Sequence, residues 1–214
     1  MNYFTHGRRF IDDPYFLAGT AVPDWLIVAD RQVRTRPKHI KPFAQHADHH
    51  IAAIARGILQ HHADDAWFHV SPAFYELSTE FTAQVRAFLP ADGGFRASFL
   101  GHILVELLLD DVLIAAEPEA LDVYYAAVAS VEPLVVEQVV NQIAPRSTDR
   151  LAWFIERFLA ERFLSDYADD GRLLVRLNQV MRRAGLPQLP AAFCELLPAA
   201  RKQVYARRHD LVSP

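Results

Sequence analysis

The chain has 214 residues, 51% of them hydrophobic, a net charge of −4 and one cysteine, Cys194. This composition suits a folded domain with a sizeable core, and it excludes disorder, an internal disulfide, a thiolate zinc site and the broad basic field of a general nucleic-acid binder. A lone thiol fits a reducing, cytoplasmic setting, and MNYFTHGRRFIDDPYF lacks the continuous apolar core of a signal peptide.

Apolar residues recur at helical spacing, glycines are sparse and no strand alternation with hairpin turns appears, so the expected fold is all-α, a single-domain helical bundle over residues 1–214. A first helical stretch is predicted to end near Asp30, with a basic segment at 31–42 and a long helix over 42–70. Ser71-Pro72 opens a helix to about Leu89, since proline is tolerated in a first turn. Residues 90–94 read as a loop, and the next helix runs to about Ala116. Its apolar stretch, 97–116, carries His102, Glu106, Asp110 and Asp111, which makes it a poor membrane span. Pro118, Pro145, Gly171 and Gly185-Leu186-Pro187 mark breaks that predict four more helices. Nine of the ten histidines lie in the first 102 residues, which assigns chemistry to residues 1–116 and packing to 117–214.

Two histidine-and-carboxylate ladders stand out: His61, Asp65 and His69 in GILQHHADDAWFH, and His102, Glu106 and Asp110 in GHILVELLLDD. A four-residue step turns only about 40° around a helix, so each ladder lines one face. Burying such groups unpaired costs on the order of 2–7 kcal/mol each. Either a satisfied polar network or a cation must compensate, and two ladder faces together could surround a metal ion. His61 and His69 lie about 12 Å apart along a helix axis, so both cannot touch one metal with Asp65 between them. The expected arrangement pairs His61 with Asp65 and leaves His69 to a second metal, the substrate or a supporting position. His62 offers a competing register with Asp65 and His69; His61 is the preferred one.

Two further groups are isolated in sequence. His6 ends MNYFTH, and Asp24 sits in LAGTAVPDW, where small residues and a proline predict a turn that aims a carboxylate into a cleft. Imidazole and oxygen ligands without thiolate suit Mn²⁺, Fe, Zn²⁺ or Mg²⁺, and the chemistry such a site supports is metal-activated attack of water on a phosphoester or related bond. The run Arg31, Arg34, Arg36, Lys38, His39 and Lys41 reads either as a solvated face or as a positive rim for a phosphate-bearing or acidic partner. His46, His49 and His50 read as a solvated cluster, and Cys194 reads as a core residue. There is no glycine-rich phosphate loop, H-E-x-x-H or G-x-S-x-G.

Taken in order, MNYFTH, the segment ending in Asp24, GILQHHADDAWFH and FRASFLGHILVELLLDD resemble the acyl carrier protein phosphodiesterase family, over roughly residues 1–116. That family is all-helical, is related to HD-type metal phosphohydrolases and removes phosphopantetheine from holo acyl carrier protein with a divalent metal, typically Mn²⁺. The resemblance implies an HD-like core with additional C-terminal helices. It also implies a metal site lined by His6, Asp24, His61 and Asp65, faced by the helix carrying His102, Glu106 and Asp110. The family pattern H-R-x-I-D then T-D-x-H is here His61-His62-Ala63-Asp64-Asp65 then Ala66-Trp67-Phe68-His69, without the second aspartate, and the later helix, which in the family presents aspartates and a D-H pair, here has His102, Glu106 and Asp110-Asp111.

The resulting expectation is a metal-dependent phosphodiesterase. Asp65, Glu106 and His69 are its expected catalytic residues, and Arg34, Arg36 and Lys38 face an acidic carrier protein or a small phosphoester. A non-catalytic helical binding protein with a degenerate polar core, or a metal enzyme of non-hydrolytic chemistry, are the alternatives.

Overall fold

Proline and short acidic or hydroxyl side chains set most helix starts in this chain. The computed structural model describes residues 1–91 and 93–212; Asp92, in the expected 90–94 loop, and the last two residues lie outside the described residues. Among the described residues every regular element is helical: α1 (Tyr3–Gly7), α2 (Pro14–Ala29), α3 (Pro37–Ile40), α4 (His49–Phe68), α5 (Pro72–Phe88), α6 (Ala97–Ala116), α7 (Pro118–Ala129), α8 (Pro133–Ile143), α9 (Leu151–Glu161), α10 (Asp170–Arg183) and α11 (Leu197–Arg207). Short 3-10 turns cover Lys41–Phe43, Phe163–Ala168 and Ala191–Leu196. The fold class is all-α, as expected.

Prolines 14, 37, 72, 118 and 133 each occupy a first helical position, where a missing N–H costs nothing. Asp13, Ser71 and Asp169 accept N–H groups of Phe16, Phe74 and Arg172 from the cap position.

Three expectations are corrected. The helix predicted over 42–70 begins only at His49, because Asp48 accepts the N–H groups of His50 and Ile51 at 2.8 and 3.2 Å, while Pro42 lies in a separate 3-10 turn. The turn predicted around LAGTAVPDW is instead the middle of α2, which continues past Pro23 because Leu17, Ala18, Ala21, Val22, Trp25 and Leu26 are all buried. Beyond Ala116 the described residues form five α-helices rather than four. Pro133 restarts the chain after a turn at Ser130, so one expected helix becomes α7 and α8.

The chain forms two compact units that interleave in sequence. One comprises Asn2–Ala66 with Glu117–Arg162; the other comprises Met1, Trp67–Ala116 and Phe163–Pro214. In the first, α2 packs against α7, α8 and α9. Trp25 and Tyr3 meet Phe158 at ring-centroid distances of 5.5 and 5.1 Å, and all three are buried. Each such side chain contributes about 1.5–3 kcal/mol through burial.

In the second unit α5 lies along α6, and α11 also covers α6. Arg201 of α11 binds the buried Asp111 of α6, Asp170 at 2.7 Å and the Tyr167 carbonyl at 3.0 Å. This satisfies a charge that would otherwise be costly to bury. No single helix among the described residues is long and apolar enough to cross a membrane.

Candidate metal centres

The first centre lies wholly in the first unit and rests on a close helix contact. A Cβ on Gly57 of α4 would stand 2.1 Å from the Phe16 carbonyl, and one on Gly19 of α2 would stand 2.4 Å from the Ile54 carbonyl. Glycine at both positions lets the two backbones approach, and His61, one turn beyond Gly57, reaches the Thr20 carbonyl. Its Nδ1–H donates to that oxygen at 2.8 Å. A carbonyl can only accept, so Nδ1 carries a proton and Nε2 is the nitrogen left to face the centre. Nε2 faces Asp65 Oδ2 at 3.3 Å.

His6, from α1, stacks on His61 with ring centroids 4.0 Å apart. Its Nδ1 donates to Asp64 Oδ2 at 3.3 Å, and Asp64 in turn accepts from Gln60 Nε2 at 2.8 Å. The other nitrogen, Nε2, lies 3.3 Å from Asp65 Oδ1, yet it has no hydrogen-bond partner although it is fully buried. Two imidazole nitrogens therefore converge on one carboxylate, and ligand atoms of His6, His61 and Asp65 all lie within 4.8 Å of one another. His6 and His61 are 1% and 3% exposed, so the nitrogens are shielded from water.

The electrostatics of this group favour positive charge. Burial opposes protonation of His6, but the adjacent carboxylates of Asp64 and Asp65 outweigh it and raise its pKa to about 9. Burial likewise opposes ionisation of Asp65, but His6 and His61 hold its carboxyl well below the usual range. At neutral pH the metal-free centre thus holds a proton on His6 between two carboxylates, where a bound cation would take the proton's place. Asp24 is half-buried on α2; burial pushes its pKa up, while nearby His61 and His6 pull it down. It adds negative potential without joining the close group.

The second centre lies wholly in the second unit. His102 and Glu106, one turn apart on α6, approach at 3.2 Å, and His69, in the turn after α4, reaches the same Oε1 at 3.1 Å through its Nε2. The amino nitrogen of Met1 also lies 3.1 Å from this oxygen. Burial disfavours the charged carboxylate, but the Met1 amino group, His102 and His69 hold Glu106 well below its ordinary value. The ligand atoms of His69, His102 and Glu106 again lie within 4.8 Å of one another. Two residue groups can therefore hold a metal ion.

The residues predicted to surround one ion are thus distributed. His6, His61 and Asp65 form one group, with Asp24 near it. His69, His102 and Glu106 form the other, and Asp110 belongs to neither group, being fully buried on α6. Of the two possible registers, His61 points into the centre, whereas the half-buried His62 donates through Nε2 to the Thr35 carbonyl at 2.7 Å. That bond ties α4 to the basic segment. There Val33, Thr35 and Ile40 are buried and Arg31, Arg34, Arg36, Lys38 and Lys41 are exposed. Of the expected solvated cluster His46 and His49 are exposed, whereas His50 is half-buried with its ring centroid 3.9 Å from that of Tyr15. Cys194, read from sequence as core, is only partly buried and donates to the Asp170 carbonyl at 3.5 Å.

Sequence reasoning did not assign Asp64, Gln60, Thr20 or the glycine pair. Asp64 had one available signal: three residues after His61, it belongs to the same helical surface. Thr20 acts through its backbone, which no side-chain pattern reveals. In comparisons with known proteins, no family model, no curated protein and no solved structure matches this chain.

Proposed function

We propose that the chain is a metal-dependent phosphoester hydrolase, and that His6, His61 and Asp65 hold its ion. One observation carries the reading: the buried Nε2 of His6 has no hydrogen-bond partner, and it converges with Nε2 of His61 on Asp65. In each ring Nδ1 is tied to an acceptor, Asp64 or Thr20, the arrangement that orients metal-binding imidazoles and sets their tautomer. Two nitrogens and one carboxylate leave a coordination position open and favour Mn²⁺, Fe²⁺ or Zn²⁺ over Mg²⁺.

A divalent ion held there supplies Lewis acidity and lowers the pKa of bound water towards ~7. Asp64 keeps the proton on Nδ1 of His6, so that Nε2 stays available. Asp24, whose carboxyl burial makes more basic, accepts a proton at its carboxylate oxygen. Arg34, Arg36 and Lys38 draw an anionic substrate to the rim next to His62. The resemblance to acyl carrier protein phosphodiesterases makes a phosphopantetheinyl carrier protein the first substrate to test, with a small phosphoester as the second.

The test is turnover of holo carrier protein and of bis(4-nitrophenyl) phosphate by chelator-stripped protein reloaded with Mn²⁺, Fe²⁺ or Zn²⁺. Asp65→Asn should bind less metal and lose about two to four orders of magnitude in rate. Stoichiometric metal with no turnover of either substrate would overturn the hydrolytic reading. The second reading, a binding protein with a polar core, is favoured by the carboxylates of Asp64 and Asp65 beside His6, which favour a protonated imidazole without an ion. No retained metal in the wild type would select it.

A further inference from the structure

We propose that His69, His102 and Glu106 form a second, exchangeable site for a borderline divalent cation of the zinc and cobalt class, loaded independently of the buried centre. The geometry is built from local structure. His102 and Glu106 project one turn apart from α6, so the helix itself sets their 3.2 Å approach. His69 is brought to them by a stiff turn: the Ser71 hydroxyl donates to the Phe68 carbonyl at 2.8 Å, and Ser71 caps α5 by accepting the Phe74 N–H at 3.3 Å. Phe74 then stands edge-on to both imidazoles, with centroids 5.1 Å from His69 and 4.9 Å from His102. The two rings therefore have little freedom to turn away from Glu106.

Chemistry selects the cation. Two imidazole nitrogens and one carboxylate, with a side open to solvent, form the three-ligand set that borderline ions take with water in the fourth position. Calcium and magnesium prefer oxygen alone. Without an ion, Glu106 Oε1 gathers three nitrogen groups, from His69, His102 and Met1, onto one oxygen.

Access and support distinguish this site from the buried one. The side chains of His69 and His102 are 34% and 39% exposed, so an ion can enter and leave. Among the described residues neither ring has an acceptor on its Nδ1 comparable to Asp64 or Thr20, and the absence of such a partner lowers metal affinity by about 10–100-fold. A bound ion would join the turn after α4 to α6, raising the melting temperature as the ion concentration rises.

The test is titration of the untagged, chelator-stripped full chain with Zn²⁺, and with Co²⁺ followed by its visible absorption. Wild type should take up two ions, the weaker with a dissociation constant about 10–100-fold above the tighter. His102→Ala and Glu106→Gln should lose the weaker ion and keep the tighter, whereas Asp65→Asn should do the reverse. In wild type, Zn²⁺ at the weaker midpoint should also shield His69 and His102 from diethyl pyrocarbonate, a readout that needs no variant to fold. A weaker ion that survives in both α6 variants, or histidines that stay fully reactive with Zn²⁺ present, overturns the proposal. A wild type that binds one ion, lost in His102→Ala and kept in Asp65→Asn, supports this site and overturns the buried centre alone.

Discussion

The two His-His-carboxylate groups use nearly the same ligands and the same four-residue helical step, yet they are different physical objects. In the buried group each imidazole spends Nδ1 on an acceptor, Thr20 or Asp64, and presents Nε2 to Asp65 out of contact with water. In the group around Glu106 the rings are about one-third exposed, and Nε2 of each ring and the Met1 amino group approach a single oxygen of Glu106. The comparison teaches that ligand identity and spacing only nominate a metal site. What surrounds the ligands sets protonation state, affinity and exchange, because orientation and desolvation are supplied by neighbours rather than by the ligands themselves.

The most direct way to break the contrast is to remove the support and leave the ligands. Asp64→Asn keeps the shape but gives up the carboxylate that holds His6, so the tighter ion should bind about 10–100-fold more weakly while the weaker one is unchanged in a Zn²⁺ titration. The same variant has a pH signature in metal-free protein. The pKa of His6 is raised from 6.5 to about 9, so its stabilisation is complete below the unfolded value and is lost as pH rises through the folded one. Asp65 and Glu106 are depressed, so theirs is present above about pH 4 and lost below it. Denaturant midpoints should fall on both sides, and Asp64→Asn should flatten the alkaline fall alone. An unchanged alkaline limb would detach Asp64 from His6.

A smaller effect is expected from the helix contact beneath the buried centre. Gly57→Ala places a Cβ against the Phe16 carbonyl and must push α2 away from α4, at a cost of about 1–3 kcal/mol in chemical denaturation. Because the Thr20 carbonyl moves with α2, the tighter ion should weaken as well. A destabilised variant with wild-type ion affinity would separate the contact from the centre.

The smallest change in stability belongs to the basic segment. Arg34→Glu with Arg36→Glu should leave stability within about 0.5 kcal/mol, since both side chains are exposed. It should raise KM for an anionic substrate steeply at low salt and less at high salt, because such charges are screened. Equal kinetics at both salt concentrations would make the segment a solvated face.

Much of this was legible in the chain itself. The helical class followed from apolar periodicity, and the start of α5 from Ser71-Pro72, because both signals are local. The pairing of His61 with Asp65 and of His102 with Glu106 followed from the four-residue step. Errors arose where a neighbour elsewhere in the chain outweighed a local cue. Pro23 suggested a turn, but the burial of Val22, Trp25 and Leu26 carries α2 through it. Pro42 suggested a helix start, but Asp48 caps the helix six residues later.

By itself, then, the sequence determined which histidines and carboxylates share a helix face, since that depends on residue type and on a fixed rise and rotation per residue. Only the tertiary structure decided that the two ladders serve separate groups, with His6 joining one and His69 the other. It also decided that His61 rather than His62 turns inward and that Asp64 rather than a ladder residue orients His6. The reason is physical: those choices depend on backbone atoms and close approaches, such as the Thr20 carbonyl and the Gly19–Gly57 contact, that come together only when distant segments pack.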